Sequence, residues 1–141
     1  MIRRLVVAAS LQLALLTAAG AADLTVTVSG VRNADGAIAA AIFNNESSFP
    51  KAALVFAAFR IKATQGPVSF TVHDLPAGRY AVTAYHDENG NGKLDADETG
   101  LPKEGYGVSN NARETISPPQ WSKASFEVGA QSKTITVNIA Y

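Results

Sequence analysis

The sequence contains no cysteine and only two histidines, His73 and His86. Without cysteine the chain has neither a thiol nucleophile nor a disulfide, so a long loop needs another means of order. A bound metal ion is a natural candidate for that role. A zinc site would need further nitrogen or sulfur ligands, which this composition does not supply. Oxygen atoms are therefore the ligands to look for.

An excess of charge of one sign is also missing, because 12 basic side chains balance 12 acidic ones. No basic stripe is present to neutralise phosphates, which argues against a nucleic acid partner. Catalytic motifs are scarce as well. Residues 107–111 lack the second glycine of a nucleophile elbow, and no glycine-rich phosphate loop ending in Lys-Ser/Thr appears. We therefore expect a protein that is not an enzyme.

Long apolar runs are absent except at the N-terminus. Arg3 and Arg4 precede an apolar run at residues 5–16, and Ala19-Gly20-Ala21 has the A-x-A pattern of a cleavage site. The run is too short for a transmembrane helix, which makes a retained membrane anchor the weaker alternative. Residues 1–22 are therefore predicted to be a signal peptide, and the mature protein is expected to be periplasmic or secreted, without a transmembrane anchor.

The mature chain begins at Ala22 or Asp23, depending on which bond is cleaved, and cleavage after Ala21 fits the pattern best. Residues 23–141 are enough for one domain with a core and too few for two. Without Arg3 and Arg4, 10 basic residues face 12 acidic ones. We expect one domain with a small negative net charge.

Alternating apolar and polar residues predict an all-β domain. Seven segments fit short strands: residues 24–28, 37–43, 55–61, 68–72, 80–85, 122–128 and 134–140. Residues 52–59 also fit a short helix, and that alternative stays open. The last two segments are expected to pair as a hairpin. We predict a single seven-stranded antiparallel β-sandwich with one long loop at residues 86–121, whose core includes Val26, Val28, Ile42, Phe70, Val82, Ile135 and Val137.

The long loop opens with the pattern of a twelve-residue calcium loop, D-x-[DN]-x-[DN]-G-x₅-E. Calcium prefers six to eight oxygen ligands, and this spacing lets one short loop point them inward. The predicted ligands are Asp87, Asn89, Asn91, the Lys93 carbonyl, Asp95 and Glu98, with Gly92 at the sharp turn. The alternative is a metal-free polar turn, since Asp, Asn and Gly also dominate ordinary turns.

The remainder of the long loop carries aromatic and amide side chains: Tyr106, Asn110, Asn111 and Trp121. One interpretation makes these four residues a partner-binding surface, because loops of this length are usually functional. The alternative is that Tyr106 and Trp121 cover the end of the sandwich while the amides satisfy loop backbone.

Four stretches together resemble a known bacterial family. They are residues 70–82 (FTVHDLPAGRYAV), 86–95, 100–111 and 119–126. The first is similar to the strand-turn-strand signature of transthyretin-like and carboxypeptidase-regulatory-like sandwiches. The combination resembles the exported family called domain of unknown function 2141, with Trp121 in place of an expected Phe. The resemblance implies a Gram-negative envelope setting, an Ig-like or prealbumin-like sandwich and no enzymatic assignment.

Two functional hypotheses follow. The first is an exported, non-catalytic binding or structural module of the bacterial envelope, stabilised by Ca²⁺ and contacting an envelope protein or glycan. The second is a small calcium-dependent hydrolase that uses loop carboxylates as acid and base. The carboxylates left over from the metal shell would be Glu88, Asp97 and Glu104, and their surroundings distinguish the two hypotheses.

Overall fold

The structure, a computed structural model, describes residues 20–141, so most of the predicted signal peptide lies outside the described residues. The described part is nearly all β. Its eight strands are β1 (Ala22–Ser29), β2 (Ala37–Phe43), β3 (Ala57–Lys62), β4 (Val68–Leu75), β5 (Gly78–Asp87), β6 (Tyr106–Val108), β7 (Phe126–Val128) and β8 (Lys133–Asn138). The helical segments are short: two 3₁₀ turns at Ala52–Leu54 and Ser109–Asn111 and one α-helical turn, α1, at Trp121–Ala124.

Two sheets pack face to face as a β-sandwich. The small sheet has the order β4-β1-β8, and the large sheet has the order β3-β2-β5-β6. Strand β7 pairs with the start of β5, from Gly78 to Tyr80. In the small sheet β1 runs antiparallel to β4 but parallel to β8. The predicted all-antiparallel arrangement is therefore wrong at one pairing, and the strand number is eight instead of seven.

The expected C-terminal hairpin is also wrong. Strands β7 and β8 follow each other in sequence, yet β7 pairs with β5 and β8 pairs with β1. The chain crosses from one layer of the sandwich to the other between them. Apolar alternation records which face of a strand is buried and carries no information about its partner.

The main core lies between the two sheets, and the alternation in β1 shows how it forms. Leu24, Val26 and Val28 are fully buried while the residues between them are half-buried. Of the predicted core residues, five are buried and two are half-buried against the core: Val26, Val28, Ile42, Val82 and Val137, and then Phe70 and Ile135. Burying a Val or Ile side chain completely contributes about 1.5–3 kcal/mol to the free energy of folding relative to leaving it exposed, so the core between the sheets stabilises the fold.

Three local predictions need correction. For residues 52–61 the sequence left a strand and a short helix open, and each is present in part. A 3₁₀ turn at Ala52–Leu54 precedes strand β3, which begins at Ala57 instead of residue 55. Residues 121–124 form a helical turn, so the strand expected from residue 122 begins at Phe126. The segment 86–121 contains the unpredicted strand β6 and a small hairpin in which Ala96 pairs with Pro102. It is a structured connection and not one long irregular loop.

The large sheet has a second apolar side, here called the outer face, which points away from the small sheet. Its residues on β2, β5 and β6 are Ala39, Ala41, Phe43, Ala81, Thr83, Tyr85, Tyr106 and Val108. A second hydrophobic cluster covers one end of this face, where Phe49 and Trp121 pack beside Phe43. The other end lies next to the predicted calcium loop.

No helix within residues 20–141 is long and apolar enough to cross a membrane.

Candidate metal centre

Asp87 anchors the candidate metal loop to the sandwich. It is the last residue of β5, and its side chain is fully buried. Its Oδ1 accepts the Asn91 N–H at 3.0 Å and its Oδ2 accepts the Gly92 N–H at 2.8 Å. The Arg60 guanidinium lies 2.8 Å from Oδ2. A carboxylate has about four lone-pair positions, so these three donors leave one for another partner.

The pKa of Asp87 lies below its ordinary value despite this burial. Burial by itself raises the pKa, because it penalises the charged form. The hydrogen bond from Arg60, the Gly92 N–H, the charge of Arg60 and the Asn91 N–H together outweigh that effect. The carboxyl is therefore held ionised, as a metal ligand must be.

The next three predicted ligands are close together. Asn89 Nδ2 donates to Asp95 Oδ2 at 2.6 Å, and Asn91 Nδ2 donates to the two Asp95 oxygens at 2.9 and 3.0 Å. Asn89 Oδ1 also accepts the Asn91 N–H, and Asn91 Oδ1 accepts the Lys93 N–H. The loop thus gathers one carboxylate and two amides around a common point, with the chain turning through positive φ at Gly90 and Gly92.

Glu98 is the predicted ligand that the structure places apart. It lies at the exposed tip of the hairpin 95–103, where the Gly100 N–H donates to the Asp97 carbonyl. Within residues 20–141 no three acidic or histidine side chains are grouped as a metal-binding set. Asp87, Asp95 and Glu98 are therefore not assembled into one site. The hairpin turns the chain at Asp97, whose Oδ1 accepts the N–H groups of Thr99 and Leu101.

Glu104 is a buried carboxylate that bonds the backbone of the candidate metal loop. It is buried just before β6, and each of its carboxylate oxygens accepts a backbone N–H of the loop. Oε1 accepts from Glu88 at 3.0 Å, and Oε2 accepts from Asp95 at 3.1 Å. Glu88 lies at the start of the loop and Asp95 in its second half, so one side chain ties these two parts together. In the sequence Glu104 was only one of the leftover carboxylates, and no local pattern marked its burial.

The other side of β5 carries a second polar network next to the loop. His86 is fully buried, with Nδ1 2.7 Å from the Tyr141 hydroxyl and Nε2 2.7 Å from the Asp35 carbonyl. A carbonyl only accepts, so Nε2 carries the proton. Glu88 forms a two-bond ion pair with Arg32, and this hydrogen bonding is the main reason that the pKa of Glu88 is lowered. The network ties the first loop residues to the C-terminus.

Three of the four candidate partner-binding residues, Tyr106, Asn110 and Trp121, contact the body of the domain. Tyr106 donates to the Glu114 carbonyl, and Trp121 packs half-buried with its ring centre 5.8 Å from that of Phe49. Asn110 Nδ2 lies within 3.0–3.3 Å of three backbone carbonyls, at residues 123–125. Asn111 is exposed with φ 54°. Tyr106 and Trp121 cover the outer face, and Asn110 satisfies loop backbone.

Comparison with known proteins gives a family and no nearer relative. No curated protein and no solved structure matches this chain. The family described as "Uncharacterized protein conserved in bacteria (DUF2141)" matches residues 26–136. That match runs from β1 to β8 and includes the whole candidate metal loop, so the chain belongs to the bacterial family of domain of unknown function 2141.

Proposed function

We propose that this protein is an exported, non-catalytic module of the bacterial envelope whose loop at residues 87–98 binds Ca²⁺. The observation that carries the proposal is the convergence of Asn89, Asn91 and Asp95 within hydrogen-bond distance of one another, next to the buried Asp87. These side chains and the Lys93 carbonyl offer only oxygen ligands of the kind that calcium prefers.

The proposed ligand set requires two local rearrangements. The amide groups of Asn89 and Asn91 now direct nitrogen atoms at Asp95, and a cation would draw their oxygen atoms inward instead. Glu98 completes the shell only if the tip of the hairpin 95–103 moves towards the loop. Because that tip is exposed, such a movement disturbs no buried contact of Glu98. If the tip does not move, a water molecule can occupy the coordination position assigned to Glu98.

The surroundings of the leftover carboxylates support a non-catalytic role over a hydrolase. Glu88 is paired with Arg32, Asp97 accepts N–H groups in a turn, and Glu104 accepts the N–H groups of two loop residues. Each carboxylate thus has a structural partner. An acid/base pair for hydrolysis needs two such groups facing a common substrate.

The type of β-sandwich and the export of the protein to the envelope are part of the same proposal. The two-layer β architecture supports an Ig-like or prealbumin-like sandwich, and the apolar N-terminal run supports export to the periplasm or beyond. A module of this kind would contact an envelope protein or a glycan.

A calcium-dependent melting experiment tests the metal proposal. The loop has no flanking helices, so we expect a dissociation constant of about 10⁻⁵ to 10⁻³ M, towards the weak end for such loops. At a free calcium concentration about 100 times that constant, binding should stabilise the fold by about 2.7 kcal/mol. Mg²⁺ should stabilise it much less, because it demands a smaller octahedral shell.

Three variants sharpen the experiment. Asp95→Asn should abolish the calcium-dependent shift in melting temperature, and Glu98→Gln should reduce it, whereas Glu127→Gln on β7 should leave it unchanged. Glu98 is exposed, so its variant should melt like the parent protein in chelator. Loss of the shift in Asp95→Asn but not in Glu98→Gln would mean that water takes the last position. Equal melting temperatures with calcium and with chelator, for protein freed of metal, would refute calcium binding.

A further inference from the structure

A cleft on the outer face lies beside the proposed metal site and shares loop residues with it. Its floor includes Thr83, Tyr85, Tyr106 and Val108, which belong to two adjacent rows of paired strand residues. Tyr85 lies between Ala39 and Tyr106 in one row, and Thr83 lies between Ala41 and Val108 in the next. The alanines and Thr83 are small, while the two tyrosines project beside them, so the sheet surface is hollow at this point.

Residues of three loop segments form the walls around this floor. These wall residues are Pro50, Pro119 and, from the candidate metal loop, Gly92, Lys93 and Leu94. The enclosed volume is about 440 Å³, and a side cavity of about 200 Å³ continues past Pro50, Thr83 and Tyr85. Sites for small molecules usually measure about 300–1,000 Å³ and combine apolar walls with a few polar groups.

The charge of the cleft narrows the class of ligand. Lys93 is the charged residue that lines the cleft, and no acidic side chain lines it. The remaining polar groups on the floor are the hydroxyls of Thr83, Tyr85 and Tyr106. Aromatic rings favour flat apolar partners, packed edge to face or offset. The positive charge of Lys93 favours a ligand that carries an acidic group at the end nearest this residue.

We propose that this cleft binds a small amphipathic anion, with a flat apolar body on the floor around Thr83 and Tyr85 and its acidic group at Lys93. Leu94 is part of both the cleft wall and the metal loop, because it lies between Lys93 and Asp95. If calcium orders the loop as proposed above, it also orders this wall and strengthens binding of the anion. That coupling rests on the proposed function, whereas the cleft itself does not.

A fluorescent aromatic sulfonate, 1-anilinonaphthalene-8-sulfonate, is a suitable probe because it carries both chemical features. We expect saturable binding to the folded protein. Thr83→Phe fills the floor and should weaken binding at least about tenfold, which corresponds to about 1.4 kcal/mol. Thr83→Val keeps the shape and loses only the hydroxyl, so its affinity should stay close to that of the parent. Circular dichroism and a cooperative melting curve establish that both variants are folded.

Lys93→Gln tests the charge without touching the sheet. It should weaken binding of the sulfonate about two- to fivefold, the range expected for a partly exposed ion pair. It should not change binding of N-phenyl-1-naphthylamine, a neutral molecule of similar shape. The backbone carbonyl at position 93 is retained, so the metal loop keeps that ligand.

Ile116→Ser serves as the control for non-specific binding, because Ile116 is 92% exposed and lines a neighbouring surface cavity. Binding that survives in Thr83→Phe but disappears in Ile116→Ser would overturn the proposal. So would sulfonate affinity that Lys93→Gln leaves unchanged. The affinity of each protein for the sulfonate should be measured both with calcium and with chelator. Equal affinities in the two conditions would refute the coupling to calcium and leave the cleft proposal standing.

Discussion

At the scale of single residues, Glu104 organises the candidate metal loop. Its carboxylate is buried and accepts the N–H groups of Glu88, at the start of the loop, and Asp95, in its second half. An ionised acceptor bonded to backbone N–H groups is among the stronger hydrogen-bonding arrangements in proteins. Glu98, by contrast, is exposed at the tip of a hairpin. The two glutamates should therefore respond differently to the same substitution.

Glu104→Gln should destabilise the protein in the absence of calcium. One amide NH₂ would then face a backbone N–H, and a buried donor left without its acceptor costs about 1–3 kcal/mol. Calcium affinity should fall as well, because the backbone at Glu88 is no longer tied to the backbone at Asp95. Urea unfolding in chelator, followed by a calcium titration, measures both effects.

Glu98→Gln is the matched control for that experiment. An exposed substitution of this kind changes stability by less than about 0.5 kcal/mol, so the variant should unfold like the parent protein in chelator. If Glu104→Gln also unfolds like the parent, Glu104 is not what holds the loop.

At the scale of elements, the short strand β6 closes one edge of the sandwich. It pairs with β5 in the large sheet, and Tyr106 forms a bridge with Ala140 just after β8 of the small sheet. Gly107 makes this close approach possible, because a Cβ there would lie 2.3 Å from the Asn138 carbonyl oxygen. Three residues thus join the two layers beside the metal loop.

Gly107→Ala should weaken this edge. The obstacle is backbone, which cannot swing aside as a side chain can, so we expect a loss of about 1–3 kcal/mol in the free energy of unfolding. Hydrogen exchange of the Tyr106 N–H, which donates to the Ala140 carbonyl, should accelerate at the same time.

Gly129→Ala provides the comparison, since a Cβ at Gly129 meets nothing within 4 Å. Its effect on stability should stay within about 0.5 kcal/mol. Equal stability of the two alanine variants would show that β6 does not pack as closely as described.

At the scale of the whole molecule, the start of the sandwich coincides with the predicted cleavage site. Strand β1 begins at Ala22, which is 5% exposed and pairs with Leu75. Cleavage after Ala21 leaves this residue in place, while cleavage after Ala22 removes it from the core. The folded domain therefore suits the first of the two sites.

Mass spectrometry of the envelope fraction should accordingly find a mature N-terminus at Ala22, with Asp23 as a minor form. The A-x-A pattern ending at Ala21 is the sequence reason for this expectation. An intact Met1 on a membrane-bound protein would contradict export with processing.

The sequence by itself determined the all-β class and most of the strands. Period-two alternation in β1, β4 and β8 is a local property, because each residue's face follows from its position in the pleat. The family was also evident from local stretches, and the match over residues 26–136 bears it out. The spacing of Asp87, Asn89, Asn91 and Asp95 predicted their proximity in the same way, since few residues separate them in the chain.

Only the tertiary structure decided which strands pair and which polar groups are buried. The parallel pairing of β1 with β8 joins segments that are far apart in the chain, and no local pattern encodes such a choice. Strand β6 is too short to show a period, and it exists because β5 offers it hydrogen bonds. Glu104 is buried because this closure brings it to the backbone N–H groups of Glu88 and Asp95. These features depend on contacts distant in sequence, which form only when the two layers close on each other.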